Sequence, residues 1–416
     1  MKKVIWILGI ASLWGSGLLA RETVSGFLED LWAENPRLAA RALEVEGAEA
    51  AERAAGRWAD PMLGLELFAQ GGMADYRLMV QQTLPRPGEL SAQRDQRRAQ
   101  VEGRQWDQVR DQWQLAEAAL GTLARVLEEK QREQLLQETL ALVEEIYEAA
   151  QRQVGAGTLS QVQVLQWDNE RRVLKRRIAS SVEKQKALRQ RLAFWQGLAE
   201  AQMPELALES MVEKFRPPEA RESLPPSEPM AEGLQARIRE TEAARREVKS
   251  LSRPRFGVGL EYTRMPSADE DEIMLMGTVS LPIWRESLRA ETRAVDSQRA
   301  ALQKLWRDRQ GEWMSENAQL QFEWEDLLAE IRLLEDELIP QAEEILEQTR
   351  SAYLSGEVGY SDIVLAQRSL LEWSLELVEI RRRQVETAAR WQTLAAELRW
   401  EKEVSNQNQE NGSDEN

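Results

Sequence analysis

The sequence predicts a mainly α fold with a small β part, built as two similar halves. Three observations predict this class. Prolines are absent from 88–203 and occur only once after residue 283, and both stretches are rich in residues that favour helices. Short segments elsewhere alternate apolar and polar residues with the period of two that is typical of strands. Matching motifs also recur in the same order in both halves.

Composition excludes several classes of protein. The 416 residues include no cysteine and no histidine, which excludes disulfides, thiol catalysis and the usual general base. The net charge of −17 argues against a nucleic-acid partner. With 30% charged residues and a mean hydropathy of −0.54, the chain is not a helical multispan membrane protein.

The first residues are typical of a secretory signal. Lys2 and Lys3 precede the apolar run Val4–Trp14, and small residues follow. We expect a signal peptide at 1–20 with cleavage near Ala20; an uncleaved anchor helix is the alternative. No later apolar run approaches the roughly 18 residues that a spanning helix needs. At the other end, 404–416 is polar and is expected to be a disordered tail.

Long helices form most of each half. Apolar residues from Trp106 to Leu127 recur at spacings of three and four, as in a coiled coil, although an ordinary bundle of amphipathic helices is the alternative. A helix over 88–153 would be about 100 Å long, and the returning leg, 159–203, about 30 Å shorter. We therefore expect the segment 22–57 to stack end-on with the returning leg. Pro340 predicts a kink in the second half.

Two β-hairpins are predicted, at about 61–85 and 254–282, with polar turns at 70–75 and 264–271. One strand face is apolar, and a small sheet packed on helices would account for it. If that face meets lipid instead, open edges are not tolerated, and two or three chains must share a closed barrel. The lipid-facing residues would be Leu63, Leu65, Leu67, Val80, Phe256, Val258, Leu260 and Leu275.

The duplication defines the domains. WADPMLGLELF (58–68) parallels LSRPRFGVGLE (251–261), and GTLSQVQVL (157–165) parallels GEVGYSDIV (356–364). The first repeat is 21–203 and the second is 230–403. Between them, the Pro-rich segment 204–229 is expected to be a linker or an irregular small domain.

Several motifs together resemble one family. They are ENPRLAA (34–40), VQQTLPRPGELSAQR (80–94), VSLPIWRES (279–287) and, most specifically, IPQAEEILEQTRSAYLSGEVGYSDIVLAQRSLL (339–371). In this order they resemble the TolC family of outer-membrane efflux channels (outer membrane factors), nearest its heavy-metal and multidrug exporter branch. The likeness runs from about residue 21 to residue 400.

The resemblance implies a passive export duct, without catalysis or cofactor. It implies a homotrimer with a twelve-stranded β-barrel in the outer membrane of a Gram-negative bacterium and a long helical tunnel in the periplasm. Cargo would arrive from an inner-membrane pump, of RND or ABC type, through a periplasmic adaptor protein. The linker 204–229 and the break at Pro340 would lie in a belt around the middle of the tunnel.

The family's periplasmic entrance can be carried over residue by residue. Gly157 and Gly356 match the helix-tip turns, and Tyr353 matches a tyrosine of the closing network. Asp362 matches an aspartate that rings the entrance, while Gln163 stands at the equivalent site of the first half. Because Gln163 is not acidic, the prediction of a second acidic ring at the entrance is weakened. The alternatives are a solvated acid at a helix N-terminus for Asp362 and packing in the helical seam for Tyr353.

Charged strand positions on the mixed face, Glu66, Arg77, Arg255 and Glu261, would line the barrel lumen; an exposed face without a role is the alternative. Tyr76, Tyr262 and Trp284 are candidates for a membrane-interface belt. Tryptophans within predicted helices are expected to be coiled-coil knobs instead. They are Trp106, Trp113, Trp195, Trp313, Trp324, Trp373 and Trp391.

Two other classes of function compete with the duct. A soluble periplasmic coiled-coil adaptor or structural protein would explain the helices, but adaptors carry many more strands, and the duplication would remain unexplained. A hydrolase with paired acids would need converging carboxylates, and the sequence contains no recognisable set of them.

Overall fold

A computed structural model describes residues 24–70, 73–156, 159–201, 203–204, 206–214, 225, 228–265 and 270–395. The predicted signal peptide and tail lie outside these residues. The described chain is mainly helical with one four-stranded antiparallel sheet, which confirms the predicted fold class. Within the described part, none of the helices is both long enough and apolar enough to cross a bilayer.

The elements follow the predicted repeat. The order helix, hairpin, long helix, returning helix occurs twice, with the long helix of the second half interrupted. The helices are α1 Val24–Glu34, α2 Pro36–Ala54, α3 Glu89–Gly155, α4 Gln161–Trp195, α5 Leu208–Lys214, α6 Pro229–Ser250, α7 Arg285–Leu333, α8 Ile339–Ser355 and α9 Tyr360–Leu394. The strands are β1 Met62–Gln70, β2 Met73–Thr83, β3 Arg255–Met265 and β4 Glu270–Ser280.

The strands are longer than predicted. Ladder pairing between β1 and β2 continues to Gln70 opposite Met73, and pairing between β3 and β4 continues to Met265 opposite Glu270. Residues assigned to the turns, such as Asp75 and Asp271, therefore belong to strands. Their polarity misled the prediction because Asp is also common in turns.

Two compact units divide the chain, and each takes segments from both sequence repeats. The helical unit comprises the described residues up to Ala39, from Asp111 to Pro225 and from Trp313 onward. The sheet unit comprises Ala40–Arg110 and Pro226–Glu312.

One core of the helical unit joins α1, α3, α4 and α9. Leu28, Leu123 and Val385 are fully buried in it. Part of the Pro-rich segment also belongs to this core, because Leu208 and Met211 of α5 are fully buried. Part of the segment predicted to be a linker or an irregular small domain is therefore held in the helical core by apolar burial.

The end of α4 abuts the start of α2, as the length argument predicts. The side-chain amide of Asn35 donates a hydrogen bond to the Trp195 carbonyl oxygen at 2.8 Å. The side-chain carbonyl oxygen of Asn35 accepts a hydrogen bond from the backbone N–H of Leu38 at 3.3 Å and thus caps α2. Gly197, at φ 66°, ends the returning helix earlier than residue 203, and a Cβ there would lie 3.0 Å from the Glu34 carbonyl oxygen.

The sheet unit carries the strands in the order β1-β2-β3-β4, so β1 and β4 are its edges. Two side-chain hydrogen bonds join α3 to α6. The Gln93 amide donates to Glu247 at 3.0 Å, and the Gln100 amide donates to Glu240 at 2.6 Å. These bonds fix the start of the long helix next to the helix that leads into β3.

A π-helical segment, Leu334–Leu338, separates α7 from α8 directly before Pro340. Proline has no N–H for the carbonyl four residues earlier, and the wider turn accommodates the missing bond. The π segment lies within a continuous helical run that includes Pro340, and the kink predicted there stays a prediction.

Candidate functional site

The outer face of the sheet is apolar and exposed. All eight residues predicted to face lipid lie on it, with exposed fractions from 42% for Val80 to 82% for Leu275. Cross-strand partners in an antiparallel sheet point to the same side. Leu63, Val80, Leu260 and Leu275 are successive partners and form one apolar row across the four strands. The alternative of a sheet packed on helices through this face is wrong for the described chain.

The opposite face carries an ionic network. Arg77 places its Nη1 3.2 Å from Glu66 Oε2 and its Nε 2.8 Å from Glu261 Oε1. Glu261 is buried, so its charge depends on this partner. Three of the four residues predicted to line a lumen are thus brought together.

Arg255 lies apart from this network. Its Nη2 contacts Glu89 Oε1 at 2.6 Å, and Glu89 Oε2 also accepts from the backbone N–H of Arg86 at 2.8 Å. Arg255 therefore ties β3 to the first turn of α3. The sequence did not indicate this role, because Glu89 is 166 residues away.

Two tyrosines lie towards the hairpin end of the apolar face, and a tryptophan follows the opposite end of β4. The rings of Tyr76 and Tyr262 are 6.3 Å apart, and Arg264 pairs with Asp271 at 2.6 Å. Trp284, just after β4, is 82% exposed. The helical tryptophans lie in α3, α4, α7 and α9, as predicted.

The turn between α8 and α9 begins at a glycine that the backbone conformation requires. Gly356 adopts φ 81°, a left-handed conformation that other residues rarely take, and its N–H closes the last turn of α8. Gly157, the predicted counterpart between α3 and α4, lies outside the described residues.

Tyr353 lies in a buried aromatic cluster near these turns. Its hydroxyl accepts a hydrogen bond from Trp167 Nε1 at 3.1 Å and donates towards Gln163 Oε1 at 3.5 Å. Trp167 also packs edge-on against Tyr360, with ring centroids 4.8 Å apart. The predicted gate residues Tyr353 and Gln163 are therefore in contact, through α4 and α8.

Sequence reasoning missed Trp167, Tyr360 and a neighbouring ion pair. Arg368 of α9 makes two contacts with the Glu170 carboxylate of α4, at 2.7 and 3.2 Å. Burial, and then the nearby Glu170 carboxylate, raises the pKa of the Tyr360 hydroxyl above its usual value. In the sequence, the only sign of this cluster is a tryptophan near a glycine turn. Such a tryptophan does not reveal a hydrogen-bond partner 186 residues away.

Asp362 is exposed and caps α9. Its Oδ2 accepts a hydrogen bond from the Gly359 N–H at 3.0 Å, at the third residue of the helix. The same side chain borders a surface groove between α8 and α9 that Ile345, Leu365 and Trp373 also line. Asp362 is thus a solvated acid at a helix N-terminus, one of the two sequence interpretations, and its place at an entrance stays a prediction.

The described residues contain no group of three or more carboxylates arranged to hold a metal ion.

Solved structures provide the comparison with known proteins. No family model matches the sequence, and no curated protein matches it. The fold of CusC, in a study of folding and transmembrane channel formation, superposes with a TM-score of 0.74 at 15% identity over 93% of this chain and 95% of that one.

Two further channels superpose similarly. The outer membrane protein VceC of Vibrio cholerae has a TM-score of 0.72 at 14% identity over 89% of this chain and 96% of that one. The open-state outer-membrane channel MtrE of Neisseria gonorrhoeae has a TM-score of 0.71 at 13% identity, over 90% and 89%. The chain therefore has the fold of bacterial outer-membrane channels, as its motifs predict.

Proposed function

We propose that this chain forms a homotrimeric duct of the outer membrane, through which a tripartite efflux or secretion system exports its cargo. Each chain contributes four strands to a twelve-stranded barrel, and the helical unit lies in the periplasm. The observation that carries the proposal is the row Leu63, Val80, Leu260 and Leu275, an apolar face exposed on all four strands.

The open edges support a shared barrel. β1 and β4 each lack a partner on one side within the described chain. Backbone groups of such edges cannot remain unpaired in lipid. Pairing β4 of one chain with β1 of the next satisfies both edges and places Arg77, Glu66 and Glu261 in the water-filled lumen.

The helix tips support a gated entrance. The cluster of Tyr353, Trp167 and Gln163 joins two helical hairpins, so parting the hairpins requires breaking it. We assign this end to the periplasmic adaptor and, through it, to an inner-membrane pump of RND or ABC type. The exposed carboxylate of Asp362, repeated three times around a narrow axis, would favour cations.

Cysteine cross-linking tests the shared barrel directly, since the protein contains no cysteine. Leu65→Cys on β1 is combined in turn with Ile273→Cys, Leu275→Cys and Val279→Cys on β4. Within one chain these strands are separated by three inter-strand steps, about 14 Å. A disulfide needs Cα atoms within about 7 Å, so any bond must join two chains.

The expected result is a covalent ladder up to three chains for one of these pairs, in protein extracted from the outer membrane. Leu65→Cys with Leu78→Cys is the matched control, because these residues are partners within one chain and their disulfide leaves the mass unchanged. Monomers for every β1–β4 pair, in protein that fractionates without detergent, would instead favour the soluble coiled-coil adaptor.

A further inference from the structure

The apolar surface of the sheet continues past the end of β4 into the segment that leads to α7. Leu281, Ile283 and Trp284 are all exposed, and they belong to none of the buried clusters of the described residues. Trp58, just ahead of β1 at the other edge of the sheet, is exposed as well. A run of large exposed apolar residues indicates a surface that another apolar medium covers.

A row of arginines follows this segment on α7. Arg285, Arg289 and Arg293 recur every fourth residue, so they lie on one side of the helix and form what we call the arginine stripe. All three are exposed. Among the residues that the structure describes, none of the three guanidinium groups has an ion-pair or hydrogen-bond partner. The stripe is therefore an unpaired positive surface in a chain of net charge −17.

Helix stability does not account for the arginine stripe. The N-terminus of a helix carries partial positive charge, which makes cations in its first turns unfavourable. α7 begins at Arg285, and Glu286 is the acidic residue of its first turn. At the end of α2, by contrast, the helix dipole favours Arg57, which donates to the Arg53 carbonyl oxygen at 3.3 Å. The arginines of α7 therefore need another explanation.

The arginines beside the two middle strands hold the fold together. Arg253, ahead of β3, donates to the Pro87 carbonyl oxygen at 2.7 Å. Arg86, after β2, donates through its Nε to the Arg253 carbonyl oxygen at 3.1 Å. Both side chains thus have partners within the chain, whereas the arginine stripe remains available to an external anion.

The spacing of the stripe matches the polar layer of a bilayer. At about 1.5 Å per residue, Arg289 and Arg293 lie about 6 and 12 Å beyond Arg285 along α7. The headgroup layer on each side of the hydrocarbon core is about 5–8 Å thick. If Trp284 marks the border of the hydrocarbon, Arg285 and Arg289 lie within the headgroups and Arg293 lies at their outer limit.

The other end of the sheet has a different charge. Glu270, Asp271 and Glu272 begin β4 at the hairpin end, and Arg264 there is paired with Asp271 at 2.6 Å. The two ends of the apolar face therefore differ, and unpaired arginines border the end from which α7 leaves.

We propose that the apolar segment 281–284 and the adjoining Arg285 and Arg289 form a docking surface for anionic phospholipids. The acyl chains cover the apolar residues, and the two guanidinium groups pair with the headgroup phosphates. This inference rests on the proposed outer-membrane duct and names the lipid that its helical end selects. A zwitterionic lipid offers the same phosphate together with a cation that the two arginines repel, so the surface favours a headgroup of net negative charge.

Lipid binding to the full-length protein in a neutral detergent tests this surface. Native mass spectrometry counts the bound lipids during titration with phosphatidylglycerol or with phosphatidylcholine. We expect phosphatidylglycerol to bind on the order of tenfold more tightly, because each arginine near an anionic headgroup adds to the attraction. Arg285→Gln with Arg289→Gln should remove this preference, whereas Arg285→Lys with Arg289→Lys should retain most of it by keeping the charge.

The matched control is Lys304→Gln with Arg307→Gln, two exposed changes on the same helix, more than about 20 Å beyond Arg289. This pair removes the same charge and should leave the lipid preference unchanged. Equal binding of the two lipids by the unaltered protein would overturn the proposal, and so would a preference that survives in the Arg285 and Arg289 glutamine variant.

Two further measurements separate the remaining explanations. Inorganic phosphate should raise the unfolding temperature less than phosphatidylglycerol does at the same concentration, and an equal rise would assign the arginines to free phosphate instead of lipid. The β1–β4 cross-link reports on the duct independently. If that cross-link forms but the lipid preference is absent, the docking surface is wrong and the duct stands. If no β1–β4 cross-link forms, both are wrong.

Discussion

The indole Nε1 of Trp167 donates a hydrogen bond to the Tyr353 hydroxyl at 3.1 Å, and both side chains are almost completely buried. This bond joins α4 of the first repeat to α8 of the second, beside the turn at Gly356. Each side chain supplies the hydrogen-bond partner of the other in an interior that water does not reach. Loss of either side chain would leave a buried polar group unpaired, which lowers stability.

Tyr353→Phe should loosen the contact between the hairpins. The buried indole N–H loses its acceptor, at a cost of about 1–3 kcal/mol to the closed tip. We expect a higher resting conductance in planar bilayers. Tyr147→Phe is the matched control, since among the described residues the Tyr147 hydroxyl accepts from the exposed Gln151 amide alone. Equal conductance of wild type and the Tyr353 variant would exclude a role in closure.

Asp362→Asn distinguishes the effect of the negative charge at this position from the effect of the side chain as a helix cap. Asparagine retains an oxygen that can accept from the Gly359 N–H, but it removes the negative charge. Cation preference, measured as the reversal potential in a salt gradient, should fall while the unfolding temperature stays the same. Asp362→Ala should lose both. An unchanged reversal potential in both variants would assign Asp362 to capping alone.

Gly356→Ala should destabilise the tip by about 1–2 kcal/mol, because the residue would retain φ 81°. No atom lies within 4 Å of a Cβ built there, so backbone strain is the only cost. Hydrogen exchange of the α8–α9 turn should speed up accordingly. Gly311→Ala, inside α7 and also free of contacts, should instead stabilise the helix by up to about 1 kcal/mol.

Glu128→Gln should make stability less dependent on pH. Burial raises the pKa of the Glu128 carboxyl above its usual range, although the Arg382 guanidinium opposes this. The folded state therefore binds the proton more tightly, and ionisation of Glu128 lowers stability as the pH rises above 4.5. After the Glu128→Gln substitution, Arg382 still has the Glu386 carboxylate as an ion-pair partner at 2.6 Å.

Thermal unfolding at two pH values checks this expectation. The Gln variant should unfold at a higher temperature than wild type at pH 7, and the difference should vanish at pH 4. Exposed Glu138→Gln serves as the control. A variant less stable than wild type at pH 7 would show that the Arg382 contact outweighs the cost of burying the charge.

Local patterns predicted the elements and faces well. Alternation placed Leu63, Leu65 and Leu67 on one face, because strand periodicity depends only on neighbouring residues. The turn at Gly356 was located by its match to the family's motif, whereas Pro340 was singled out by backbone chemistry alone. Hairpin ends were misjudged, since polar residues such as Asp75, which are common in turns, can also continue a ladder.

Contacts between distant segments were not predictable. Glu89 with Arg255 and Trp167 with Tyr353 each depend on how the two repeats pack, and no local pattern encodes that packing. The buried part of the Pro-rich segment was missed for a related reason: two apolar residues, Leu208 and Met211, are too few to show a period.

The apolar row across β1 to β4 has a consequence for the order of biogenesis. The buried clusters of the chain lie among helices, so the helical unit can fold in an aqueous compartment. In water the apolar face of the hairpins would stay exposed. A sheet that formed before it reached lipid would tend to aggregate through its unpaired edge strands. We expect sheet closure to be the last event, triggered by lipid and by sister chains that arrive with their helices already formed.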